Sequence, residues 1–593
     1  MPDRPAHVHA ITADAVKGWL AGISGRRVVA IDTETTGWDP HIDDLLSVQV
    51  AVGGDHPVLV LDATRVHPRL LAPLCADASV LKVFHHAVFD LRFLAVAGVE
   101  TVRVADTMIA QQLLDGGQRS PAGISLAGLA SFRLGAELDK SVRSTFGPHV
   151  DTLTTSQVAY AADDAWATWG VFDQQWRELI AHGLTRVAQL EFSLLPVLAD
   201  MQLRGVSFDA PRWLGMLGQL EGELPALDQA VQDALVTEES PRDLFGVTPV
   251  NLDSHEQVRE ALARMGIDVE STREHVLRDH DAHPAVAAFL RWRQLHKVTS
   301  NWGGDWAERV RHPRTGRIHA DWRQIVGTGR LACSDPNMTQ VPREDRFRAC
   351  FGGGRGRAHI VADYSQQELR ILASVSGDEA LIEVFRSGGD LHRATAATVF
   401  DCAESSVSPE QRASAKQLNF GLMYGMGAAG FARATGQTVT EARTTMNRYF
   451  GAFPRVARWL AVTESAARRE GAVRTPFGRV RHLSPDERGT VTLARNAPIQ
   501  GAGADMTKLA MIEVERRFAQ RFGGRGGRTV RGDGLVLVVH DELVAEVDLA
   551  DAEEAADLVR EGMLAAASSM LGAVPAVVDL EIRPRWGRLD GRD

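Results

Sequence analysis

Residues 361–373 read VADYSQQELRILA. An apolar run from His359 to Ala362 predicts a strand that leads to Asp363, and a helix is predicted soon after. A carboxylate at the end of a strand can bind Mg2+ through one oxygen, while waters and phosphate oxygens complete the octahedron. The same aspartate could instead be an ordinary N-cap of the following helix. The segment alone therefore predicts a strand, a turn and a helix, with a candidate metal ligand between them.

Residues 535–547 read LVLVVHDELVAEV. Two apolar, β-branched runs, Leu535–Val539 and Leu543–Val547, predict a hairpin with Asp541 and Glu542 at its tip. A structural hairpin more typically has Asn-Gly or Asp-Gly at its turn, so an acidic tip favours a function. Two aspartates from separate segments can hold two divalent ions, which clamp the attacking and leaving oxygens of a phosphoryl transfer.

Between these segments lies RASAKQLNFGLMYGMG, residues 412–427. Arg412, Lys416, Phe420 and Tyr424 recur at steps of four, so on a helix they form one slowly drifting ridge. At a rise of ~1.5 Å per residue the ridge spans roughly 18 Å, enough to reach from a triphosphate to its base. For the two cations alone, the plainer interpretation is the solvated face of an amphipathic helix.

Four carboxylates and a tyrosine recur in the first 170 residues. The strand segment AIDTETTG places Asp32 and Glu34 on one face, because they lie two residues apart. FHHAVFDL adds Asp90, and YAADDA adds Tyr160 and Asp164. An isolated pair of acids at a strand end is weak evidence of function. Four acids brought together would raise one another's pKa values unless cations bind, and two divalent ions would also activate water.

Composition excludes several classes of protein. A chain of 593 residues is long enough for three or four domains, and its 45% hydrophobic and 24% charged residues are ordinary for a globular protein. No apolar run of about 18 residues predicts a membrane span, and the N-terminus lacks the apolar core of a signal peptide. The scattered cysteines argue against a zinc site or a disulfide framework and favour a reducing cytoplasm. They are Cys75, Cys333, Cys350 and Cys402.

The net charge of −11 does not exclude a nucleic-acid partner, because the local field decides binding. Only six of the 65 basic residues are lysines, which usually reflects a GC-rich genome. Where arginine fills almost every basic position, Lys416 suggests a need that arginine meets poorly, since an ammonium releases a proton more readily. The Gly/Arg stretch 521–534 could contact a DNA backbone, or it could be a flexible solvated turn.

In combination and in this order, the segments containing Asp363, Lys416 and Asp541 resemble motifs A, B and C of family A DNA polymerases. The N-terminal acids resemble those of DEDDy 3′–5′ exonucleases, including proofreading and RNase D-like domains. The resemblance implies an α/β and α+β multidomain chain, with an RNase H-like exonuclease domain followed by a right-hand polymerase. The implied domains are the exonuclease (1–185), the thumb and template-contacting flank (186–345), the palm (346–374 and 489–593) and the fingers (375–488).

The resemblance also implies roles for the polymerase residues. Asp363, Asp541 and the backbone carbonyl of Tyr364 would bind metal, with Glu542 secondary. Arg412 and Lys416 would bind phosphates, and Lys416 is the candidate proton donor to pyrophosphate. The other implied substrate contacts are Gln366 and Glu368 (the latter a steric gate against a ribose 2′-hydroxyl), His392 near the phosphates, Phe420 on the sugar, Tyr424 on the template base, Arg330 in the minor groove, Asn496 and Gln500 on the primer-template, and His540 at the primer terminus.

In the exonuclease, the resemblance implies that Asp32, Glu34, Asp90 and Asp164 bind two divalent ions and that Tyr160 orients the attacking water. Two positions depart from the usual pattern. His86 replaces an asparagine four residues before Asp90, and we expect it to share a helix face with that aspartate. Thr492 replaces an arginine four residues before Asn496, so that role is not transferred.

These expectations describe a DNA-templated DNA polymerase with a proofreading exonuclease, two Mg2+ ions in the polymerase site, primer-template DNA and dNTPs as partners, and no 5′-nuclease domain. We expect a monomer without membrane attachment, in the cytoplasm of a bacterium or of a phage host, serving replication or repair. One alternative is a 3′-exonuclease with a vestigial polymerase half, which the intact Asp363, Lys416 and Asp541 argue against. Another is a non-catalytic DNA-binding or clamp-like protein, which explains about ten matched catalytic positions poorly.

Overall fold

The computed structural model describes residues 4–244, 246–484, 489–523 and 532–589. Most of the Gly/Arg stretch lies outside these residues, so neither interpretation of it is tested. The chain divides into two compact units. Unit 1 comprises Met1–Val206, His319–Val341 and Gly354–Trp586, and unit 2 comprises Ser207–Ile318, Pro342–Gly353 and Gly587–Asp593.

The N-terminal part of unit 1 is built on a six-stranded mixed sheet, whose strand order is β1-β4-β3-β2-β5-β6. Its strands are β1 (His7–Ala10), β2 (Val28–Thr35), β3 (Leu45–Ala51), β4 (Val58–Asp62), β5 (Leu81–Phe84) and β6 (Val104–Asp106). Its helices are α1 (Ala13–Gly22), α2 (Ala72–Ala76), α3 (Ala87–Val96), α4 (Thr107–Asp115), α5 (Leu126–Leu134) and α6 (Thr155–Ala181). The strand-like segment RVVAIDT (27–33) and the patterning after it predict alternating strands and helices to about residue 180, which is confirmed, and the acidic strand β2 lies inside the sheet.

A long helix, α7 (Thr185–Arg204), follows. The segment EFSLLPVLADM (191–201) spaces its apolar residues as one helix face, and this prediction is confirmed, because Leu194, Leu195, Leu198 and Met201 are all buried. The next elements are the helices α8 (Ala210–Leu235), α9 (His255–Arg264), α10 (Glu274–Leu277), α11 (Pro284–Trp302), α12 (Trp306–Val310) and α13 (Asp345–Arg348), and the short strands β7 (Val206–Ser207), β8 (Arg242–Asp243), β9 (Gly246–Val247) and β10 (Arg317–Ile318). Unit 2 is therefore mainly helical, which agrees with the helical patterning of the sequence from Glu191 to about residue 310.

Among its described residues, the remainder of unit 1 contains eight strands and nine α-helices. Its strands are β11 (Asp321–Arg323), β12 (Ala332–Ser334), β13 (Arg357–Tyr364), β14 (Ala472–Arg474), β15 (Val480–His482), β16 (Gly534–Val539), β17 (Glu542–Asp548) and β18 (Val578–Arg583). Its helices are α14 (Gln367–Ser376), α15 (Glu379–Arg386), α16 (Leu391–Phe400), α17 (Pro409–Met423), α18 (Ala428–Thr435), α19 (Val439–Ala452), α20 (Pro454–Glu470), α21 (Thr490–Phe522) and α22 (Ala552–Leu571).

Four of these strands form an antiparallel sheet in the order β16-β17-β13-β18. The predicted hairpin is confirmed as β16 and β17, joined by His540 and Asp541. His540 adopts a left-handed conformation with φ 62°, which allows the chain to reverse within two residues. Strand β13 pairs with β17 on one side and β18 on the other, so Asp363 stands opposite Asp579.

The predicted ridge helix is α17, which begins with a capping box at Ser408 and a proline at its first position. It ends one residue earlier than the ridge, so Tyr424 is its C-cap residue. Gly425 follows the ridge directly, where a glycine predicts a left-handed helix end, and its φ of 76° confirms this.

Within the described part of the chain, no helix combines the length and the apolar character needed to cross a membrane. All four cysteines are free, which agrees with the absence of a predicted disulfide framework. The domain boundaries drawn from the family resemblance remain predictions.

Candidate active sites

Asp363 and Asp541, the aspartate pair, lie at the same end of two neighbouring strands. Ala362 on β13 pairs with Leu543 on β17. Asp363 follows Ala362 by one residue, and Asp541 precedes Leu543 by two. Burial raises the pKa of Asp363 to about 7, and Asp541 and Glu542 add to the rise. Burial also raises the pKa of Asp541. The two carboxylates are therefore costly to ionise together, and a cation between them would relieve that cost.

The aspartate pair fits a metal-binding role. Asp363 Oδ1 is buried and accepts no hydrogen bond from the described residues, so one carboxylate oxygen is left for another ligand. The Tyr364 hydroxyl donates to the Met563 carbonyl at 2.6 Å, so only its backbone could serve the site. Glu542 accepts from Trp586 Nε1 at 2.9 Å, which agrees with a secondary role for this carboxylate.

The ridge on α17 brings its cations to His392. Arg412 Nε donates to Asp390 at 2.7 Å, which orients the guanidinium, whereas Lys416 is exposed. Burial lowers the pKa of His392, and both Arg412 and Lys416 lower it further. With Asn419 Nδ2 as donor at 3.0 Å, His392 Nδ1 accepts and Nε2 is left as the proton-bearing nitrogen. The two predicted phosphate-binding cations therefore lie close enough to His392 to act on its pKa.

A second group of predicted residues meets at Glu368. Its carboxylate accepts from Arg330 Nη2 at 2.7 Å and from the Tyr424 hydroxyl. Burial raises the pKa of Tyr424 to about 12, with Glu368 adding to the rise, and Gln500 is also a side-chain partner of this tyrosine. The sequence predicted these four residues singly. Their connection was not predicted, because it joins four separate segments.

Two further predicted contacts flank this group. Gln366 begins α14 in a left-handed conformation, and its buried Oε1 lacks a described partner. Asn496 precedes Gln500 by one helical turn on α21, and its Oδ1 is likewise buried without one. Thr492 packs closely against Gly425, because a Cβ added to Gly425 would lie 2.9 Å from Thr492 Oγ1. Arg495 donates to Glu464 instead of taking the place of the usual arginine.

The predicted exonuclease residues converge in the N-terminal sheet. Asp32, Glu34 and Asp164, the acidic cluster, place carboxylate oxygens within 4.8 Å of one another, and this is the one such group of three among the described residues. Asp90 on α3 accepts from Thr33 Oγ1 at 2.6 Å. Burial raises the pKa of Asp32, and its neighbours Asp90, Asp164 and Glu34 add to the rise. Burial raises the pKa values of Glu34 and Asp90 to about 8.

Tyr160 precedes Asp164 by one turn of α6. Burial raises its pKa, with Asp164 adding to the rise. Sequence reasoning missed Lys140, whose Nζ lies 2.7 and 2.9 Å from the two Asp164 oxygens. Its rarity as one of six lysines was the only available signal.

The expectation for His86 was wrong. The helix α3 begins at Ala87, and His86 precedes it as the N-cap with φ 69°. An exposed residue in the left-handed region cannot share a helix face with Asp90, so no interaction between them follows from helical spacing.

We expect the ion-free protein to lose stability as the pH rises from about 6.5 to 8. In this window the folded state holds more protons on Glu34 and Asp90 than the unfolded chain does, so the free energy of unfolding falls with pH. Below about 6.5 the buried His85, whose pKa is lowered to about 3, acts in the opposite sense.

Thermal scans in EDTA should therefore show a lower Tm at pH 8 than at pH 6.5. Added Mg2+ or Mn2+ should restore more of the Tm at pH 8, because ions bound only by the folded state stabilise it by mass action. The Glu34→Gln variant should flatten the decline. A Tm that rises across this window in EDTA would contradict the described electrostatics.

Two family models match the chain. DNA polymerase family A matches residues 223–588, and a 3′–5′ exonuclease family matches residues 9–180. DNA polymerase I of Chloroflexus aurantiacus is 33% identical over 97% of this chain and 63% of its own length. DNA polymerase I of Pseudomonas aeruginosa is 33% identical over 96% of this chain and 64% of its own length. The chain thus spans slightly less than two thirds of these relatives.

Similarity extends to a solved structure. The POL domain of Pol1 from M. smegmatis, in complex with DNA primer-template and dNTP, matches 98% of this chain and 99% of its own with a TM-score of 0.81. The two sequences are 27% identical. The match supports the fold class implied by the sequence, an exonuclease domain followed by a right-hand polymerase.

Proposed function

Because the chain belongs to DNA polymerase family A, we propose that it extends DNA primers on a DNA template and removes mismatched 3′ ends by 3′–5′ hydrolysis. The observation that supports the polymerase most directly is the aspartate pair. Its two carboxylates stand at adjacent strand ends, burial raises the pKa of both, Asp541 raises that of Asp363 further, and Asp363 Oδ1 has no described partner. These are the properties of a site built for cations.

The domain assignments belong to the same proposal. We assign the exonuclease to residues 1–185, the thumb with its template-contacting flank to 186–345, the palm to 346–374 and 489–593, and the fingers to 375–488. The mainly helical unit 2 falls within the proposed thumb for most of its length. The sheet that carries the aspartate pair supplies the proposed palm, and the helices α15–α20 supply the fingers.

Divalent ions are implied by both families, and we propose Mg2+, two ions in each site. Asp363, Asp541 and the Tyr364 carbonyl would hold the polymerase ions, and Asp32, Glu34, Asp90 and Asp164 the exonuclease ions. When bound, such ions lower the pKa of the attacking hydroxyl or water and neutralise charge on the phosphate.

The protein residues then bind and orient the nucleotide. Arg412, Lys416 and His392 would bind the triphosphate, and Phe420, whose ring centroid lies 5.8 Å from that of His392, would pack on the sugar. The primer 3′-hydroxyl would attack the α-phosphorus, and pyrophosphate would leave with a proton from Lys416. His540 would contact the primer terminus, and Asn496, Gln500 and Arg330 the primer-template.

Single-nucleotide extension tests the proposed function. A labelled primer is annealed to four templates that differ in the first template base, and each dNTP is offered alone with Mg2+. We expect addition of the complementary nucleotide in each case. Addition that ignores the template, or no addition, would contradict a templated polymerase. This result also separates it from the alternative of an exonuclease with a vestigial polymerase half.

Glu368→Ala should raise ribonucleotide incorporation relative to deoxynucleotides by about tenfold or more, which corresponds to ~1.4 kcal/mol of lost discrimination. Arg330 and Tyr424 hold the carboxylate in place, and the proposed gate assigns to it the space that a ribose 2′-hydroxyl needs. Competition between dNTP and NTP on one primer measures the ratio.

Tyr424→Phe is the matched control, because it removes one hydrogen bond and leaves the carboxylate in place. It should retain most of the discrimination. If Glu368→Ala discriminates between dNTPs and NTPs as well as the parent does, Glu368 is not the steric gate.

A further inference from the structure

Lys140 lies in a segment that packs against α6, the helix that carries Asp164. Gln157 near the start of α6 donates to the Thr145 carbonyl at 3.1 Å, and the ring of Phe146 lies 5.9 Å from that of Tyr160. On the other side of Lys140, Leu138 is buried. The lysine is therefore presented to the site by a backbone that is anchored before and after it.

The contacts of its ammonium are specific. Nζ lies 2.7 and 2.9 Å from the Asp164 oxygens, 3.4 Å from the Tyr160 hydroxyl and 5.1 Å from the centre of the Tyr160 ring. About a third of the Lys140 side chain is exposed, whereas that of Asp164 is almost fully buried. One cation thus contacts both oxygens of a carboxylate that belongs to the acidic cluster, together with the tyrosine proposed to orient water.

The charge of Lys140 also acts on the rest of the acidic cluster. It opposes the rise in pKa of both Asp32 and Glu34, although it is among the smaller influences on each. In the ion-free protein the ammonium therefore supplies part of the positive charge that three convergent carboxylates require. A metal ion that takes Asp164 as a ligand has to compete with it.

We propose that Lys140 is a positioning residue of the exonuclease site, which competes with a divalent ion for Asp164 and keeps the Tyr160 hydroxyl beside that carboxylate. The inference rests on the proposed exonuclease. It predicts two effects of opposite sign when the charge is removed: tighter binding of the ion and slower hydrolysis. If Lys140 had only a structural role, its removal would weaken both ion binding and hydrolysis. A lysine that only opposes the ion would, when removed, improve both.

The test uses the full chain carrying Asp363→Asn and Asp541→Asn, so that ion binding reports the exonuclease site. Titration calorimetry with Mn2+ alone should show about fivefold tighter binding in Lys140→Met, as expected for one charge removed from a partly exposed pair. Lys140→Gln provides a second neutral variant, and Lys140→Arg keeps the charge. Lys17→Met, an exposed lysine on α1, is the control and should match the parent.

Hydrolysis of a single-stranded oligonucleotide is then measured at saturating Mn2+. Both neutral variants should turn over about tenfold more slowly, and Lys140→Arg should recover most of the rate, as a positioned cation predicts. Mn2+ affinity that is unchanged or weaker in both neutral variants overturns the competition, and an unchanged rate overturns the positioning. If the parent binds Mn2+ but degrades no DNA, the exonuclease assignment itself is refuted. Calorimetry distinguishes this outcome from failure of the proposed competition, because it measures ion binding without hydrolysis.

Discussion

Asp363→Asn and Asp541→Asn should each abolish primer extension, by a factor of about 1,000 or more, which corresponds to ~4 kcal/mol of barrier. Asparagine keeps the size of the side chain but removes the charge that a divalent ion requires. Degradation from the 3′ end should continue, because the acidic cluster lies in the separate N-terminal sheet. Rapid-quench extension and hydrolysis assays on the same preparations measure both activities.

The variants also have an internal check against misfolding. Because burial and mutual repulsion raise the pKa of Asp363, its neutral replacement should leave the ion-free protein as stable as the parent or more so. Asp579→Asn is the matched control, since Asp579 stands opposite Asp363 on β18 but is exposed. It should extend primers normally. Normal extension by either member of the aspartate pair after substitution would refute the assigned polymerase site.

Asp32→Ala should slow 3′ hydrolysis by a factor of about 1,000 or more, while primer extension continues. Asp32 lies at the centre of the acidic cluster, and Asp90, Asp164 and Glu34 all act on its pKa. The parent should convert dNTPs to monophosphates during idling, through repeated addition and removal at the primer end, and Asp32→Ala should not. Thin-layer chromatography of labelled dNTPs measures this turnover.

Asp55→Ala, which alters an exposed aspartate in the same region, is the control and should idle as the parent does. Idling that persists in Asp32→Ala would show that the hydrolytic site has been placed wrongly. A parent that leaves mismatched primers uncut would leave only the polymerase half of the proposal.

Local patterns in the sequence predicted the elements that carry the sites. Two continuous apolar, β-branched runs predicted the hairpin around Asp541, and spacing by four predicted the ridge on α17, because both patterns reflect the geometry of a single element. The helix α7 was predicted from the same kind of periodicity. In each case the residues that determine the element are close together in the chain.

The connections between segments could not be predicted in the same way. Glu368 meets Arg330 and Tyr424 only because three distant segments pack together, and no periodicity reports such a contact. Lys140 was missed because its segment has no regular pattern. His86 was assigned to a helix face because it lies four residues before Asp90, but the chain enters α3 through a left-handed residue at His86.

One gel tests the central claim most directly. A labelled primer with a mismatched 3′ end, annealed to its template, is incubated with the parent protein and Mg2+, with and without the four dNTPs. We expect stepwise shortening from the 3′ end without dNTPs, and removal of the mismatch followed by full-length extension with them. A primer that is neither shortened nor extended under these conditions, with Mg2+ or with Mn2+, would contradict a DNA polymerase with a proofreading exonuclease.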